Sequence, residues 1–269
     1  MGDALFSVHG VVFNYDRHTA IDDITFTVNP GEFMGIIGPN GAGKSTVIRL
    51  LAGFLKPNKG FVAFSGKNLD KYEKRELAQN IATLPQATET PFSFTVEEFI
   101  LMGRYPYAQK NWLYEKKEEE FVEYIIDTME ISHLRGRTID TLSEGERQKV
   151  FLSQCLAQDP KALLLDEPVS HLDIRHQMQT FDVLEKLHNE GLTIIMVLHD
   201  LNLAAEFCSR LMLISKGRIN ADGDPKTVLT FQNIEEAYDT VVIVKENPLS
   251  GKPFVVPVSR KYLGKNAVE

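Results

Sequence analysis

Cysteine is scarce in this chain: 269 residues contain only two, Cys155 and Cys208. Both stand in apolar, helix-like surroundings, and neither has a second cysteine or a histidine at metal-ligand spacing. This pattern excludes a disulfide-stapled secreted domain and a cysteine-ligated metal site. We predict two reduced thiols in the core of an intracellular protein.

Long hydrophobic runs and basic clusters are also missing. The longest apolar stretch, Leu192–Leu198, is strand-sized, whereas a membrane-spanning helix needs about 20 apolar residues. The start of the chain has no secretion signal, and Phe6 stands where lipidation of Gly2 requires serine or threonine. The net charge of −8 comes without a basic block, which indicates no nucleic-acid partner. If the protein serves a membrane, we expect it to dock there from the cytoplasm.

The sequence divides into a strand-rich first part, a helical middle region and a last part in which strands and helices alternate. Phe6–Phe13, Ile24–Val28 and Phe61–Phe64 are rich in β-branched and aromatic residues, which predicts strands. The sequence between Pro91 and Asp159 is helical in character. From Lys161 onward apolar strands alternate with helices, which predicts a parallel sheet. Near the end of the chain, we expect Val241–Val244 and Phe254–Val258 to form a hairpin.

The helical region contains one clear amphipathic segment. Phe121, Ile125 and Met129 recur at helical spacing beside Val122 and Ile126, which predicts a buried stripe. Residues 115–120 are all acidic or basic, and we interpret this run as the solvated face of the same helix.

Polar residues follow four of the apolar strands. Ligands bind at the carboxyl edge of open parallel sheets, so these residues are expected to meet there. Phe33–Ile37 is followed by the glycine-rich loop, Ile81–Leu84 by Gln86, Ala162–Leu165 by Asp166-Glu167, and Leu192–Leu198 by His199-Asp200.

Residues 38–45 read Gly-Pro-Asn-Gly-Ala-Gly-Lys-Ser and fit the phosphate-loop pattern G-x-x-x-x-G-K-[ST]. The pattern arises by chance in roughly one chain in a hundred of this length, and its place between a strand and a helix makes chance less frequent still. Lys44 is expected to reach the β- and γ-phosphates of a nucleotide, and Ser45 to bind Mg²⁺. The expected nucleotide-binding residues here are Gly38, Pro39, Asn40, Gly41, Ala42, Gly43, Lys44, Ser45 and Thr46.

A second motif lies upstream of an acid-tipped strand. Residues 142–148 read Leu-Ser-Glu-Gly-Glu-Arg-Gln, and Leu163-Leu164-Leu165-Asp166-Glu167 follows. Ser143-x-x-Glu146 is a capping box, which predicts a helix whose N-terminus can bind an anion. In this order, the phosphate loop, the serine-glycine turn and the acidic strand end resemble the ATP-binding-cassette (ABC) ATPases. P-loop kinases, the alternative, lack the serine-glycine turn.

The resemblance implies an α/β fold and a division of the chain. It implies a P-loop core with a mixed sheet and flanking helices, an inserted α-helical subdomain and an N-terminal antiparallel β subdomain. The cassette is expected to span residues 1–240, with the helical subdomain at about 88–160. Residues 241–269 are then a short C-terminal extension containing the hairpin.

The resemblance also implies roles at the sheet edge. Asp166 matches the residue that orients Mg²⁺, and Glu167 the general base for the attacking water. His199 matches the switch histidine that contacts the γ-phosphate. Gln86 resembles the glutamine that touches Mg²⁺ and reports nucleotide state to the transport partner. Outside this family, an Asp-Glu-Pro turn or a histidine after a strand is an ordinary structural feature.

Other residues match the parts that hold a nucleotide across a dimer. Ser143 and Gly145 are expected to contact the nucleotide of a second copy, and Asp173 to lie along the dimer seam. Tyr15 resembles the aromatic residue that stacks on adenine, with Phe13 as a rival whose alternation suggests a core position. Glu144 departs from the family, which has glycine there; we predict that its carboxylate faces outward, with Arg147 three residues on as a possible partner.

Further segments resemble one branch of the family. Residues 94–107 and 217–230 are similar to the ATPases of importers for iron–siderophore complexes, haem and cobalamin, and molybdate or tungstate importers look alike. This implies a homodimer, two membrane permease subunits that contact the Gly103–Tyr107 region, an extracytoplasmic binding protein, and a location at the cytoplasmic face of the membrane. The expected cofactors are ATP and Mg²⁺. A soluble iron–sulfur-assembly ATPase and a non-hydrolysing nucleotide-binding module remain as alternatives.

Overall fold

A computed structural model describes residues 4–16, 18–86, 93–108, 116–170 and 172–259. The strands are β1 (Phe6–Tyr15), β2 (His18–Val28), β3 (Phe33–Ile37), β4 (Lys59–Phe64), β5 (Lys67–Asn68), β6 (Ile81–Leu84), β7 (Ala162–Asp166), β8 (Thr193–Val197), β9 (Arg210–Ser215), β10 (Arg218–Gly223), β11 (Val242–Glu246) and β12 (Pro253–Pro257). The helices are α1 (Lys44–Leu51), α2 (Lys74–Ala78), α3 (Val96–Met102), α4 (Lys116–Thr128), α5 (Glu144–Leu156), α6 (Ile174–Asn189), α7 (Leu201–Phe207), α8 (Pro225–Val228) and α9 (Phe231–Tyr238).

The first third of the chain forms an antiparallel sheet with the strand order β2-β1-β4-β5. Alternate residues of β1 are buried, as expected for a sheet with one face on the core. Phe6 on β1 packs edge-to-face on Phe64 of β4, with ring centroids 5.0 Å apart. The expected N-terminal antiparallel sheet is thereby confirmed.

A second sheet carries the polar strand ends. Its order is β10-β9-β3-β8-β7-β6. All neighbours pair in parallel except β10, which runs antiparallel to β9. Every residue of β3, β7 and β8 is buried, because one face of the sheet packs on α1 and the antiparallel sheet and the other packs on helices. The expected mixed sheet is confirmed, and the carboxyl ends of β3, β8, β7 and β6 lie side by side.

The helices between β6 and β7 form a layer with its own apolar contacts. The predicted stripe on α4 is confirmed, since Val122, Ile125, Ile126 and Met129 are buried. Helix α3 lies against α5, and the two helices contribute residues to one core cluster. Residues 88–92 and 109–115 of the predicted helical region lie outside the described residues.

The prediction of a fully solvated charge run on α4 is wrong for Glu118. Only 4% of Glu118 is exposed, and its carboxylate pairs with the guanidinium of Arg104, which is 7% exposed. A second cation, Lys117 Nζ, lies 3.9 Å from the other carboxylate oxygen. Glu118 faces inward because Arg104 supplies the opposite charge that a buried carboxylate requires.

The C-terminal hairpin and the free thiols also follow expectation. Strands β11 and β12 pair antiparallel, with Val244 opposite Val255. Asn202 of α7 binds the hairpin backbone through both Val255 N–H, at 2.7 Å, and Val255 C=O, at 3.3 Å. Cys155 and Cys208 are buried and unbonded, and burial raises the pKa of both thiols to about 12. Among the described residues, no helix is both long and apolar enough to span a membrane.

Candidate active site

The glycine-rich loop joins β3 to α1 and is shaped by its backbone. Gly38 and Gly43 have φ values of 144° and 104°, which L-residues with a side chain rarely adopt. A Cβ on Gly38 would lie 1.9 Å from the carbonyl oxygen of Ile214, so the loop lies directly against β9. These two glycines allow the loop to turn tightly into the first turn of α1, where N–H groups and the helix dipole favour an anion.

Lys44 lies inside this loop. Its Nζ donates hydrogen bonds to the carbonyl oxygens of Gly38, at 2.8 Å, and Pro39, at 3.0 Å. Burial lowers the pKa of Lys44, and the carboxylates of Glu167 and Asp166 oppose that effect. The ammonium is therefore held by the loop backbone at the nucleotide cleft's phosphate-loop side, where it can also donate to an anion.

Ser45 and Asp166 provide oxygen ligands beside the lysine. Ser45 Oγ donates to Asp166 Oδ1 at 3.0 Å. Hydroxyl and carboxylate oxygens suit Mg²⁺, which usually takes one or two protein carboxylates together with phosphates and waters. Within the part of the chain that the structure describes, no cluster of three or more histidine, cysteine, aspartate or glutamate residues could hold a metal by itself. The donor set fits a Mg²⁺ ion that depends on nucleotide phosphates for its remaining ligands.

Asp166→Asn is expected to stabilise the nucleotide-free protein. Burial is the main cause that raises the pKa of Asp166, against the hydrogen bond from Ser45. A carboxyl whose pKa rises on folding lowers stability above its folded-state pKa, and this cost is absent below the pKa of the unfolded chain. Asparagine keeps an acceptor for Ser45 without the charge.

Thermal melting of both proteins at neutral pH and at about pH 4 checks this prediction. We expect the variant to melt about 2–4 °C higher at neutral pH, with the difference shrinking in acid. A variant that melts lower at neutral pH would mean that the carboxylate stabilises the nucleotide-free fold.

Glu167 has a strained backbone and two side-chain partners. Its φ is 54°, although it is not glycine and precedes Pro168. Gln86 Nε2 donates to Oε2 at 2.7 Å, and Nε2 of His199 contacts Oε1. Groups from the ends of β6, β7 and β8 therefore converge on one carboxylate.

These residues border a single cleft of about 590 Å³. Tyr15 also lines it and is 40% exposed, whereas Phe13 is 8% exposed and belongs to the core, as its alternation indicated. The Tyr15 hydroxyl lies 3.5 Å from Arg49 Nη1. The lining residues are Tyr15, His18, Ala20, Asn40, Gly41, Gly43, Lys44, Ser45, Thr46, Gln86, Glu167 and His199.

The serine-glycine turn is built as predicted but is not among the residues that line this cleft. Ser143 accepts from Glu146 N–H at 3.4 Å, and Glu146 accepts from Ser143 N–H at 2.8 Å, which completes the capping box that starts α5. Glu144 is exposed in the single chain, as predicted, and the neighbouring Glu146 pairs with Arg137 at 3.1 Å. Asp173 caps α6 through the N–H of His176.

Several residues near the site have no signal in the sequence. His18 lines the cleft because the start of β2 lies beside the phosphate loop, where a Cβ on Gly43 would lie 2.6 Å from the Ala20 carbonyl oxygen. Tyr238, at the end of α9, buries its hydroxyl beside the Gly38 backbone. His176 packs against Gly145. None of these residues belongs to a motif, and only the folded chain places them.

Together these groups can position and cleave a phosphoanhydride. The glycine loop and Lys44 can bind anionic oxygens, Ser45 and Asp166 can hold Mg²⁺, and the Glu167 carboxylate lines the same cleft. Phosphoryl transfer to water needs such positioning and charge stabilisation, together with a group that orients the attacking water.

Comparison with known proteins supports this chemistry. The family profile described as ABC transporter matches residues 21–170. The ferric enterobactin transport ATP-binding protein FepC of Escherichia coli K12 is 38% identical over 251 residues, which cover 93% of each chain. The hemin import ATP-binding protein HmuV of Rhodopseudomonas palustris is 39% identical over 247 residues, or 89% of each chain. A chain from an ABC transporter solved in an inward-facing conformation shares the fold, with a TM-score of 0.85 at 24% identity over 97% of this chain and 100% of that chain.

Proposed function

This chain belongs to the ABC transporter family of ATP-binding proteins, and we propose that it is the ATP-hydrolysing subunit of an importer for chelated iron, either a siderophore complex or haem. The similarity to FepC over 93% of both chains carries the proposal. The similarity to HmuV supports the same substrate class. Importers of cobalamin, molybdate and tungstate are the neighbouring possibilities.

In the proposed reaction, water attacks the γ-phosphorus of ATP. Its oxygen forms the new P–O bond, the bond to the β–γ bridging oxygen breaks, and Glu167 accepts the proton from water. Lys44 and the loop N–H groups hold the β- and γ-phosphates, and His199 stabilises charge on the γ-phosphate. Mg²⁺, when bound by Ser45, Asp166 and Gln86, supplies positive charge against the phosphate oxygens.

Glu167 has to change partners before it can do this. Both of its oxygens already contact donors, one from Gln86 and one from His199. We infer that nucleotide binding draws these donors toward phosphate and metal, which frees one carboxylate oxygen for the attacking water. Adenine is expected to stack on Tyr15, at the open end of the cleft.

The rest of the machine comes from other chains. A second copy is proposed to contribute Ser143, Gly145 and Asp173 to the terminal phosphate of the first, which agrees with their absence from the cleft lining. Closure of this homodimer on two ATP molecules, and its reopening after hydrolysis, would drive two permease subunits. An extracytoplasmic binding protein would deliver the chelate, and the ATPase would sit at the cytoplasmic face of the membrane.

A surface near the Gly103–Tyr107 region suits the permease. A cleft of about 500 Å³ lies between the end of α1, α2 and β6, and Phe54 at its rim is 70% exposed. Tyr105 is 54% exposed. Arg75 Nε donates to the Pro106 carbonyl oxygen at 2.6 Å, and Gln79 Nε2 donates to it at 2.9 Å. The turn is thus hydrogen-bonded to α2. In the sequence, α2 is followed by β6 and then by Gln86, so a movement at this surface can be transmitted to the nucleotide cleft through these few residues.

A growth experiment tests the proposal. A strain lacking this gene is supplied with iron only as a siderophore complex or only as haem, and separately with limiting cobalamin or molybdate. We expect a defect on one iron chelate that the wild-type gene repairs and the Lys44→Ala gene does not. Repair by Lys44→Ala would remove ATP hydrolysis from the function. A defect confined to cobalamin or molybdate would move the protein to the neighbouring importer class, and normal growth throughout would favour a soluble assembly ATPase.

A further inference from the structure

Gly145 has close contacts within its own chain. It is the second residue of α5 and is buried. A Cβ placed on it would lie 2.5 Å from Cδ2, 2.7 Å from Cγ and 2.9 Å from Nε2 of His176. Real Cβ atoms lie at 3.4–4 Å in ordinary contacts. A side chain at position 145 would therefore have to displace either the start of α5 or the His176 ring by about 1 Å.

The ring of His176, whose side chain is 34% exposed, is anchored to the cap of α6. Its Nδ1 lies 2.9 Å from Asp173 Oδ1, and its backbone N–H donates to the same oxygen, also at 2.9 Å. A carboxylate can only accept, so Nδ1 carries the hydrogen in this contact. The backbone hydrogen bond from His176 is the main cause that lowers the pKa of Asp173. The imidazole is thus held between the cap of α6 and the first turn of α5.

We propose that His176 is a positioning residue whose ring sets the spacing between the Ser143–Gly145 turn and Asp173, and that Gly145 is required by this contact within its own chain. This inference rests on the proposed homodimer, since both segments act there on the second copy's nucleotide. In each chain, His176 makes the two segments one preassembled unit. The competing explanation is that Gly145 is required because the second copy's phosphate approaches its backbone.

A compensating substitution separates the two explanations. Gly145→Ala is expected to lower kcat for ATP hydrolysis by about a hundredfold, the effect of a misplacement of about 1 Å. His176→Ala is expected to lower it only about three- to tenfold, because the turn becomes less well ordered but is not displaced. In the double variant Gly145→Ala/His176→Ala, the methyl group occupies the space left by the ring. We expect its kcat to lie within about threefold of His176→Ala.

Two further variants sharpen the test. His176→Asn keeps a donor toward Asp173 but lacks the ring against Gly145, so its kcat should stay about three- to tenfold below wild type, like that of His176→Ala. The exposed His133, in the helical layer between β6 and β7, serves as control, and His133→Ala should be neutral. KM for ATP should stay within about twofold throughout, because the cleft containing Lys44 does not include His176. If His176 only stabilised the fold, its substitution would not lower kcat selectively while leaving KM for ATP unchanged.

The outcomes decide between the explanations. A double variant as inactive as Gly145→Ala overturns the proposal, because space next to His176 would then not be what Gly145 provides. If Gly145→Ala does not accumulate in folded form, thermal melting of the double variant against His176→Ala gives the comparison, and a double variant that melts far lower also overturns it. Wild-type protein without ATPase activity would instead overturn the proposed function, so the two failures are distinguishable.

Discussion

Glu167→Gln is expected to lower ATP turnover by a factor of about 10² to 10⁴, the usual contribution of a general base. The amide has the shape of the carboxylate but cannot take the proton from water. The carboxylate is well placed for this role, because Glu167 follows β7 directly and lies between Gln86 and His199. Nucleotide binding should survive the change, since the loop and Lys44 are untouched.

The same variant should accumulate as an ATP-bound dimer. Without hydrolysis the closed state does not reopen, so ATP should convert the monomer to a dimer on size-exclusion chromatography, whereas the wild type stays largely monomeric. Phosphate release at saturating ATP measures the turnover. Glu185→Gln, an exposed change on α6, is the matched control and should stay within about twofold of wild type. If Glu167→Gln keeps more than about a tenth of wild-type turnover, another group accepts the proton.

Arg104→Met is expected to cost about 3–5 kcal/mol of unfolding free energy. The guanidinium is buried and pairs with Glu118, and Nη1 donates to the Ala157 carbonyl oxygen at 2.8 Å. It also stacks on Tyr107 and Phe121, with 3.9 Å and 4.6 Å between Cζ and the ring centroids. Methionine keeps part of the packing but leaves the Glu118 carboxylate buried opposite an apolar side chain. That uncompensated charge is the main source of the loss.

A double variant tests this cause. Arg104→Met/Glu118→Leu removes both charges, and we expect it to recover most of the lost stability, because apolar replacements of buried ion pairs are often neutral. Urea unfolding of the single and double variants measures the difference. The control pair Lys116–Glu120 spans 3.5 Å on the same helix but is 88% and 65% exposed. Breaking it with Glu120→Gln should cost less than about 0.5 kcal/mol. Equal losses in the single and double variants would assign the effect to packing instead of charge.

The chemical content of the site was predictable because it depends on local and sequential features. The glycine pattern of residues 38–45 restricts the backbone wherever it occurs, and the capping box of Ser143 and Glu146 starts a helix within one turn. Apolar strands that end in Gln86, Asp166-Glu167 and His199 had to bring those side chains to one edge, since parallel strands share their direction. The structure places Gln86, Glu167 and His199 around one cleft, and Asp166 is hydrogen-bonded to Ser45 of the same cleft.

The partners of individual side chains were not predictable in the same way. Glu118 reads as part of a charged helix face, because the periodicity of α4 says which side is apolar but not which single position meets a buried arginine. Arg104 lies 14 residues away in sequence, and the packing of α4 on the turn before it brings the two charges together. The left-handed φ of Glu167 is likewise imposed by the surrounding strand ends, against the local preference of a residue before proline.

From the sequence alone follow the family, the phosphate chemistry, the mixed sheet and the residues at its edge. These features depend on the spacing of motif residues and on the periodicity of apolar residues in strands and helices, both of which are visible within a few residues. The tertiary structure alone decided that Glu118 is paired inside the helical layer, that His18 borders the nucleotide cleft, and that His176 packs between Gly145 and Asp173. These contacts join elements distant in sequence, and their geometry is set by how whole helices and sheets pack, which no short pattern of residues encodes.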